Sequence, residues 1–299
     1  MDTKDNMNLE IDMHTMKLTN TYKRLGLFVL FLACGLLIFF FGSSYFSLFP
    51  TNQSDTYRFA ITVVFLVAAL LLRRSESLKK YWLVAYAFFL AALAQFLAST
   101  LAFIRDWIFD SFQITSNTTP DMIAGKLFEA LVVIMTIILL TKVAGGSLGS
   151  IYLQKGNLKI GLFVGLCMLV NNLAIGFIMG INGGFTPEAL ISILPWALTF
   201  SVANALMEEL WFRGLFLRKF VPFIGIGGSI LVTSLTFTLT HAGAVYLTPE
   251  QIPFFLATLY PLALLWAYLM HKTDSVWGSI LFHAGADVFL FLAMGFGPA

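Results

Sequence analysis

The sequence predicts an all-α, polytopic membrane protein, a bundle of about nine transmembrane helices. Three observations support this fold class: an apolar composition, a series of long apolar runs and a one-sided distribution of cations. The chain of 299 residues is 59% hydrophobic and only 11% charged. Soluble domains carry about 25% charged residues, so this composition indicates a chain surrounded mostly by lipid.

The apolar runs are long enough to cross about 30 Å of hydrocarbon as helices. They do not alternate apolar and polar residues, as the strands of a membrane barrel do. The predicted spans lie near residues 25–48, 58–72, 81–104, 126–141, 159–180, 189–212, 228–247, 253–270 and 275–296.

The distribution of the cations predicts how these spans are oriented. With the N-terminus in the cytoplasm, only three of the 18 lysines and arginines fall on the outer side, namely Arg58, Arg105 and Lys126. Cytoplasmic loops of membrane proteins carry an excess of lysine and arginine. The sequence therefore predicts an N-in, C-out arrangement.

The chain divides into three parts by composition. Residues 1–22 form a polar tail, which is too long and too mixed in charge for a signal peptide. Residues 23–145 hold the N-terminal transmembrane helices. A glycine-rich, basic connection at residues 142–158 then leads into a C-terminal core over residues 155–299. We find no internal repeat.

Before residue 208 the predicted spans hold almost no ionisable side chain at depth, and from residue 208 onward they hold several. Charges in hydrocarbon are costly and nearly always face a bundle interior or a wet cavity, so these residues are functional candidates. They are Glu208, Glu209, Arg213, His241, His283 and Asp287.

The spacing of these residues predicts which of them interact. Glu209 and Arg213 are four residues apart and share a helix face, so we expect them to pair. Glu208 points about 100° away from Glu209, which leaves one carboxylate available for chemistry. His283 and Asp287 are also four apart, so we expect Asp287 to hold the imidazole in one tautomer.

Three short motifs carry a resemblance to a known family. "EELWFR" begins at Glu208, "FTLTH" begins at Phe237 and "HAGAD" begins at His283. They resemble the EExxxR, FxxxH and HxxxD/N motifs of the CPBP family, the CAAX proteases and bacteriocin-processing enzymes, also called the Abi family. The motifs occur in the family's order on separate predicted helices. The resemblance covers about residues 155–296, which makes residues 155–299 a protease core.

The resemblance implies hydrolysis of a peptide bond within the membrane. Glu208 would activate the attacking water, and His241 and His283 would help to bind that water or the oxyanion. Glu209 and Arg213 would form a structural pair that fixes their helix. Hydrocarbon burial makes a glutamate more basic, which suits proton transfer, and oxyanion charge is best stabilised by donors at low dielectric.

The resemblance leaves the metal question open. Asp287 matches the polar residue that ends the third motif. Two histidines and Glu208 could hold one divalent metal such as Zn²⁺, with water in the open position. The sequence has no HExxH, however, and a metal-bound Glu208 would be less available as a base. A metal-free glutamate–histidine mechanism is an equal alternative.

One difficulty concerns the depth of these residues in the membrane. Counted along helices, Glu208 lies about 7 Å and His283 about 12 Å from the inner interface, whereas His241 lies roughly 20 Å deep. The three converge only if the seventh span begins later, tilts, or is preceded by a submerged loop at residues 220–228. The glycines of that loop allow this.

Two other classes of function compete with a protease. A proton-coupled transporter could use the same charges as a relay, but its polar groups should occur in both halves. A non-catalytic scaffold could use the same side chains to form hydrogen bonds between helices.

The expected partners follow from the composition and the resemblance. A net charge of +2 gives no sign that the protein binds nucleic acid. The expected partners are the lipid bilayer and a peptide or lipidated protein substrate, in a bacterial cytoplasmic membrane.

The aromatic residues around Glu208 suggest what kind of substrate is bound. We expect an apolar cavity lined by Phe200, Trp211, Phe212 and Phe216. Such a cavity has little polar surface, which predicts selectivity for lipidation or membrane proximity over a strict residue motif.

Overall fold

The protein is helical throughout the residues described by a computed structural model, which are 3–43, 51–116, 118–243 and 248–294. These ranges contain no strand. The helices are α1 (Thr3–Phe39), α2 (Thr51–Arg74), α3 (Trp82–Thr100), α4 (Ala102–Ser111), α5 (Thr119–Val143), α6 (Leu158–Asn182), α7 (Pro187–Glu208), α8 (Leu217–Thr240), α9 (Ile252–Thr273) and α10 (Trp277–Met294). Short 3-10 helices occur at Lys79–Tyr81, Leu148–Ile151 and His241–Gly243, and a π-helix at Glu209–Gly214.

Eight helical segments of the described chain are long and apolar enough to cross a membrane. They are Thr21–Phe39, Gln53–Arg74, Lys79–Ser111, Thr119–Val143, Leu158–Asn182, Pro187–Gly214, Leu217–Gly243 and Ile252–Thr273. Helix α10 is shorter but apolar, and its 18 residues rise about 27 Å. The eight candidate spans and α10 together are nine apolar helical segments of the described ranges, the number that the sequence predicts. The polytopic membrane architecture is confirmed.

The orientation of these spans stays a prediction that a reporter can test. Gln154 lies between α5 and α6, and Asn182 is the last residue of α6. Because the basic connection before α6 is expected inside, a topology reporter fused after Gln154 should give the cytoplasmic signal. A reporter fused after Asn182 should give the external signal. The reversed pair of signals would contradict the N-in, C-out arrangement.

Helix α10 is held against α6 through glycines. A side-chain carbon added to Gly165 would lie only 2.7 Å from the carbonyl oxygen of Gly278, and one added to Gly278 would lie 2.7 Å from the carbonyl oxygen of Gly161. One added to Gly176 would lie 2.9 Å from the Cα of Phe289. Small residues allow this close approach between membrane helices. The packing fixes α10, which carries His283.

Aromatic side chains join the N-terminal helices to the segment that follows α7. The ring centroids of Phe39 and Phe212 lie 4.1 Å apart, and those of Phe88 and Phe216 lie 4.9 Å apart. The indole of Trp211 donates a hydrogen bond of 3.1 Å to the carbonyl oxygen of Ala91.

The predicted cavity lined by aromatic residues around Glu208 is therefore not what the structure shows. Trp211, Phe212 and Phe216 are buried in contact with α1 and α3, because their helix is covered by the N-terminal half of the bundle. Phe200 packs against Phe291 of α10, with ring centroids 5.0 Å apart. These four aromatic side chains pack between helices and do not line an open pocket.

Helix α8 is broken inside the region predicted as a submerged loop. Gly225 has a φ of 73° and a ψ of 170°, a conformation that glycine adopts without steric cost. The helix predicted at 228–247 instead begins at Leu217 and ends at Thr240, while residues 244–247 lie outside the described chain. After the break, the helix brings Phe237 against His283, with ring centroids 5.5 Å apart. The segment predicted as a submerged loop is therefore helical, with a break at Gly225.

Candidate active site

A π-helical segment of six residues, Glu209–Gly214, directly follows α7 and forms one wall of the site. π-helical turns occur frequently at functional sites. Within it, Arg213 Nη1 lies 2.7 Å from Glu209 Oε1, and both side chains are 0% exposed. The pair predicted from the spacing is present. Arg213 also lies over the rings of Phe237 and Trp266, at 4.5 and 5.3 Å, where cation–π attraction offsets part of its desolvation.

His283 is held in place by Glu209 and Trp266. Its Nδ1 lies 2.9 Å from Glu209 Oε1, and because a carboxylate only accepts, Nδ1 donates this hydrogen bond. The indole of Trp266 stacks on the imidazole, with centroids 4.0 Å apart and an interplanar angle of 10°. Asp287, which the spacing predicts as the partner of His283, does not contact Nδ1. Its Oδ1 lies 3.7 Å from His283 Nε2. A neighbouring helical segment, not α10 itself, thus fixes the tautomer.

Glu208 presents a carboxylate oxygen to the same imidazole. Its Oε2 lies 3.4 Å from His283 Nε2, and the side chain is 13% exposed. Within the described chain this buried oxygen has no hydrogen-bond partner. Buried polar atoms are nearly always satisfied, so an unsatisfied acceptor beside an imidazole is a place where a water molecule can bind.

His241 reaches the cluster from the end of α8. Its Nδ1 lies 2.9 Å from the carbonyl oxygen of Phe237, which can only accept, so Nδ1 carries the proton. Phe237 contacts both imidazoles, with ring centroids 4.4 Å from His241 and 5.5 Å from His283. Five of the six predicted residues contact one another directly, namely Glu208, Glu209, Arg213, His283 and Asp287. His241 joins them across the ring of Phe237.

Two members of the cluster were not predicted from the sequence. Asn204 Nδ2 donates a hydrogen bond of 3.0 Å to Asp287 Oδ2. Asn204 precedes Glu208 by four residues, so the shared helix face was a signal that could have identified it. Trp266 stands in an apolar run without any such signal, because its stacking on His283 depends on how α9 and α10 pack.

Glu208, His241 and His283 are the side chains that the sequence predicts as ligands of a metal. Two imidazoles and one carboxylate are donor types that zinc accepts. Among the residues that the structure describes, however, no three His, Cys, Asp or Glu side chains are arranged as a metal-binding group. Nδ1 of each imidazole is engaged, by the carbonyl oxygen of Phe237 and by Glu209, which leaves both Nε2 atoms available. A divalent metal held by these side chains stays a prediction.

Residues 190–289 match the family model of the Rce1-like type II CAAX prenyl endopeptidases. The CPBP resemblance is confirmed. We call residues 190–289 the CPBP segment; it makes up a third of the chain. It extends from α7 to α10 and includes all six site residues. Searches of curated proteins and of solved structures give no match. The CPBP segment thus coincides with the helices that build the cluster, while α1 to α6 lie outside it.

Proposed function

We propose that the protein is an intramembrane endopeptidase that hydrolyses a peptide bond of a membrane-associated substrate, either a lipidated protein or a leader peptide. The family of the CPBP segment, the CAAX prenyl endopeptidases, supports this activity. The observation that carries it is the unsatisfied Oε2 of Glu208, 3.4 Å from His283 Nε2. In this proposal the substrate is reached from the cytoplasmic side of a bacterial membrane.

Glu208 would act as general base and then as general acid. A water molecule bound at its Oε2 would transfer a proton to the carboxylate while its oxygen attacks the scissile carbonyl carbon. Collapse of the tetrahedral intermediate would break the carbon–nitrogen bond, and Glu208 would return the proton to the leaving amine. One water is consumed, and one carboxyl and one amino terminus are formed.

The histidines would orient the water and stabilise the oxyanion. Because Nδ1 of His283 is held by Glu209, its Nε2 can donate only when the ring is an imidazolium. The cluster sets three carboxylates, Glu208, Glu209 and Asp287, against one guanidinium, so an imidazolium would reduce the buried negative charge. Its donor would then stabilise the developing oxyanion. His241 would hold the water through its unprotonated Nε2.

A second buried polar cluster, around Arg58, is a comparison in which the charged side chain has a structural role. Arg58 is 7% exposed and donates to the carbonyl oxygen of Gly42, to Asp55 and to Ser99, each within 2.8 Å. This cluster joins the ends of α1, α2 and α3 by hydrogen bonds. Glu208 differs in that its unsatisfied Oε2 faces an imidazole nitrogen, 3.4 Å from His283 Nε2.

A pair of peptides tests the proposed substrate class. The purified protein should cleave a prenylated peptide about tenfold or more faster than the same peptide without the lipid, because binding energy from the lipid is used at the reacting bond. Mass spectrometry identifies the fragments. Equal cleavage of the two peptides would contradict selectivity for lipidation, and cleavage of a leader peptide alone would assign the chain to leader processing.

A further inference from the structure

A cavity of about 1120 Å³ lies where four membrane spans begin or end. Arg24 stands near the start of the first span, Lys80 near the start of the third, and Lys219 near the start of the seventh. Thr141 contributes from the end of the fourth span. The cavity is therefore at the level of one membrane interface, on the side that the cation distribution predicts to be cytoplasmic.

The lining of this cavity is strongly basic. It includes no aspartate or glutamate, and its five cations are Lys23, Arg24, Lys80, Arg218 and Lys219. Arg218 pairs with Asp274. Among the carboxylates of the described ranges after residue 20, none forms an ion pair with any of the other four. Cations concentrated in a concave site attract anions, so the chemistry of the lining indicates an anionic ligand.

The same cavity has an apolar side that extends toward the hydrocarbon. Leu27 lies about one helical turn deeper than Arg24, and Val84 about one turn deeper than Lys80. Further apolar side chains of the lining include Ala87, Leu90, Leu215 and Phe223. A ligand that fills both sides carries a negative head and an apolar chain.

This cavity is separate from the proposed catalytic cluster. None of the six site residues lines it. Along the chain, the buried side chains of Trp211, Phe212 and Phe216 stand between Glu208 and Arg218. The occupant therefore need not be the peptide that Glu208 would attack.

We propose that the cavity binds an anionic phospholipid, with the phosphate among the five cations and the start of an acyl chain along the apolar side. Anionic lipids are attracted to basic residues at the cytoplasmic membrane surface. The cavity adds a concave shape and an apolar side to this attraction. The inference does not rest on the proposed protease function, because it concerns binding at residues outside the site.

Photoreactive phosphatidylglycerol tests the proposal. The full chain is placed in phosphatidylcholine nanodiscs that contain a rising fraction of this probe, and intact mass spectrometry gives the cross-linked fraction. The double variant Arg24→Gln, Lys80→Gln should need about tenfold more probe for half-saturation, since it removes two of the cations that line the cavity and would contact the phosphate. The matched control is Lys79→Gln, Lys142→Gln, which removes two exposed cations near the same face that do not line the cavity.

The proposal predicts that the control variant saturates within about twofold of the unmodified chain. An equal loss in both variants would overturn it, because the binding would then be a general surface effect. Equal labelling by photoreactive phosphatidylcholine would also overturn it. Displacement by soluble glycerol phosphate at the same concentration would assign the cavity to a free phosphate. Displacement by a prenylated peptide with a free carboxyl terminus would assign it to substrate.

Discussion

The substitution Glu208→Gln is expected to abolish peptide-bond cleavage while the protein remains folded in the membrane. The amide preserves the shape and the hydrogen-bonding capacity of the side chain, but it cannot take a proton from water. Loss of a general base reduces the rate by about 10²–10⁴-fold. The measurement is the rate of fragment release from a prenylated peptide by the purified variant, with its helix content checked by circular dichroism.

A matched control comes from the same helix. Glu188 is an exposed glutamate in the first turn of α7, far along the chain from the cluster, and Glu188→Gln should cleave at the rate of the unmodified protein. His283→Ala should lose activity as Glu208→Gln does, because it removes the imidazole that faces Glu208. Full cleavage by Glu208→Gln would contradict the role of Glu208 as the general base, whereas no cleavage by the folded, unmodified protein would favour the non-catalytic scaffold.

The substitution Arg213→Met is expected to cause the largest loss of stability. It leaves the Glu209 carboxylate, which is 0% exposed, without its guanidinium partner. Removing one member of a buried ion pair costs about 3–5 kcal/mol. The expected loss is measured as the free energy of unfolding by chemical denaturation in mixed micelles. The variant should also lose cleavage, because Glu209 holds His283.

The double variant Glu209→Gln, Arg213→Met separates the cost of the unpaired charge from the loss of packing. With no carboxylate left unpaired at this position, at least half of the lost stability should return. Arg105→Met provides the control for an exposed pair. Arg105 contacts Asp106 at the surface, so its loss should cost less than about 1 kcal/mol. Equal instability of the single and double variants would contradict this account of the pair.

The sequence predicts the fold well because its strongest signals are local. Length and hydropathy define the spans, and the spacing of Glu209 and Arg213 within one helix predicts their contact. The bounds of α8 are a different case. The glycines at residues 225–228 are compatible with a loop or a kink, and only the packing of the bundle selects a helix that begins at Leu217 and breaks at Gly225.

Of the contacts in the candidate site, that of Glu209 with Arg213 is predicted from the sequence, and the partner of His283 Nδ1 is not. The motifs identify the six residues, whereas the partner of His283 Nδ1 depends on how the π-helical segment faces α10. Spacing alone favours Asp287, which shares a helix face with His283. The structure places Glu209 closer, from a segment 74 residues earlier in the chain. Helix rotation and interhelical packing decide such contacts, and neither is encoded in local spacing.

Isotope labelling tests most directly whether this chain hydrolyses a peptide bond. The purified protein and a prenylated peptide are incubated in water enriched in oxygen-18, and the fragments are analysed by mass spectrometry. We predict that the new carboxyl terminus carries heavy oxygen, that the amino-terminal end of the other fragment carries none, and that Glu208→Gln yields neither fragment. An intact peptide after incubation with the folded protein, or labelled fragments of equal yield from Glu208→Gln, would contradict the proposed glutamate-activated hydrolysis.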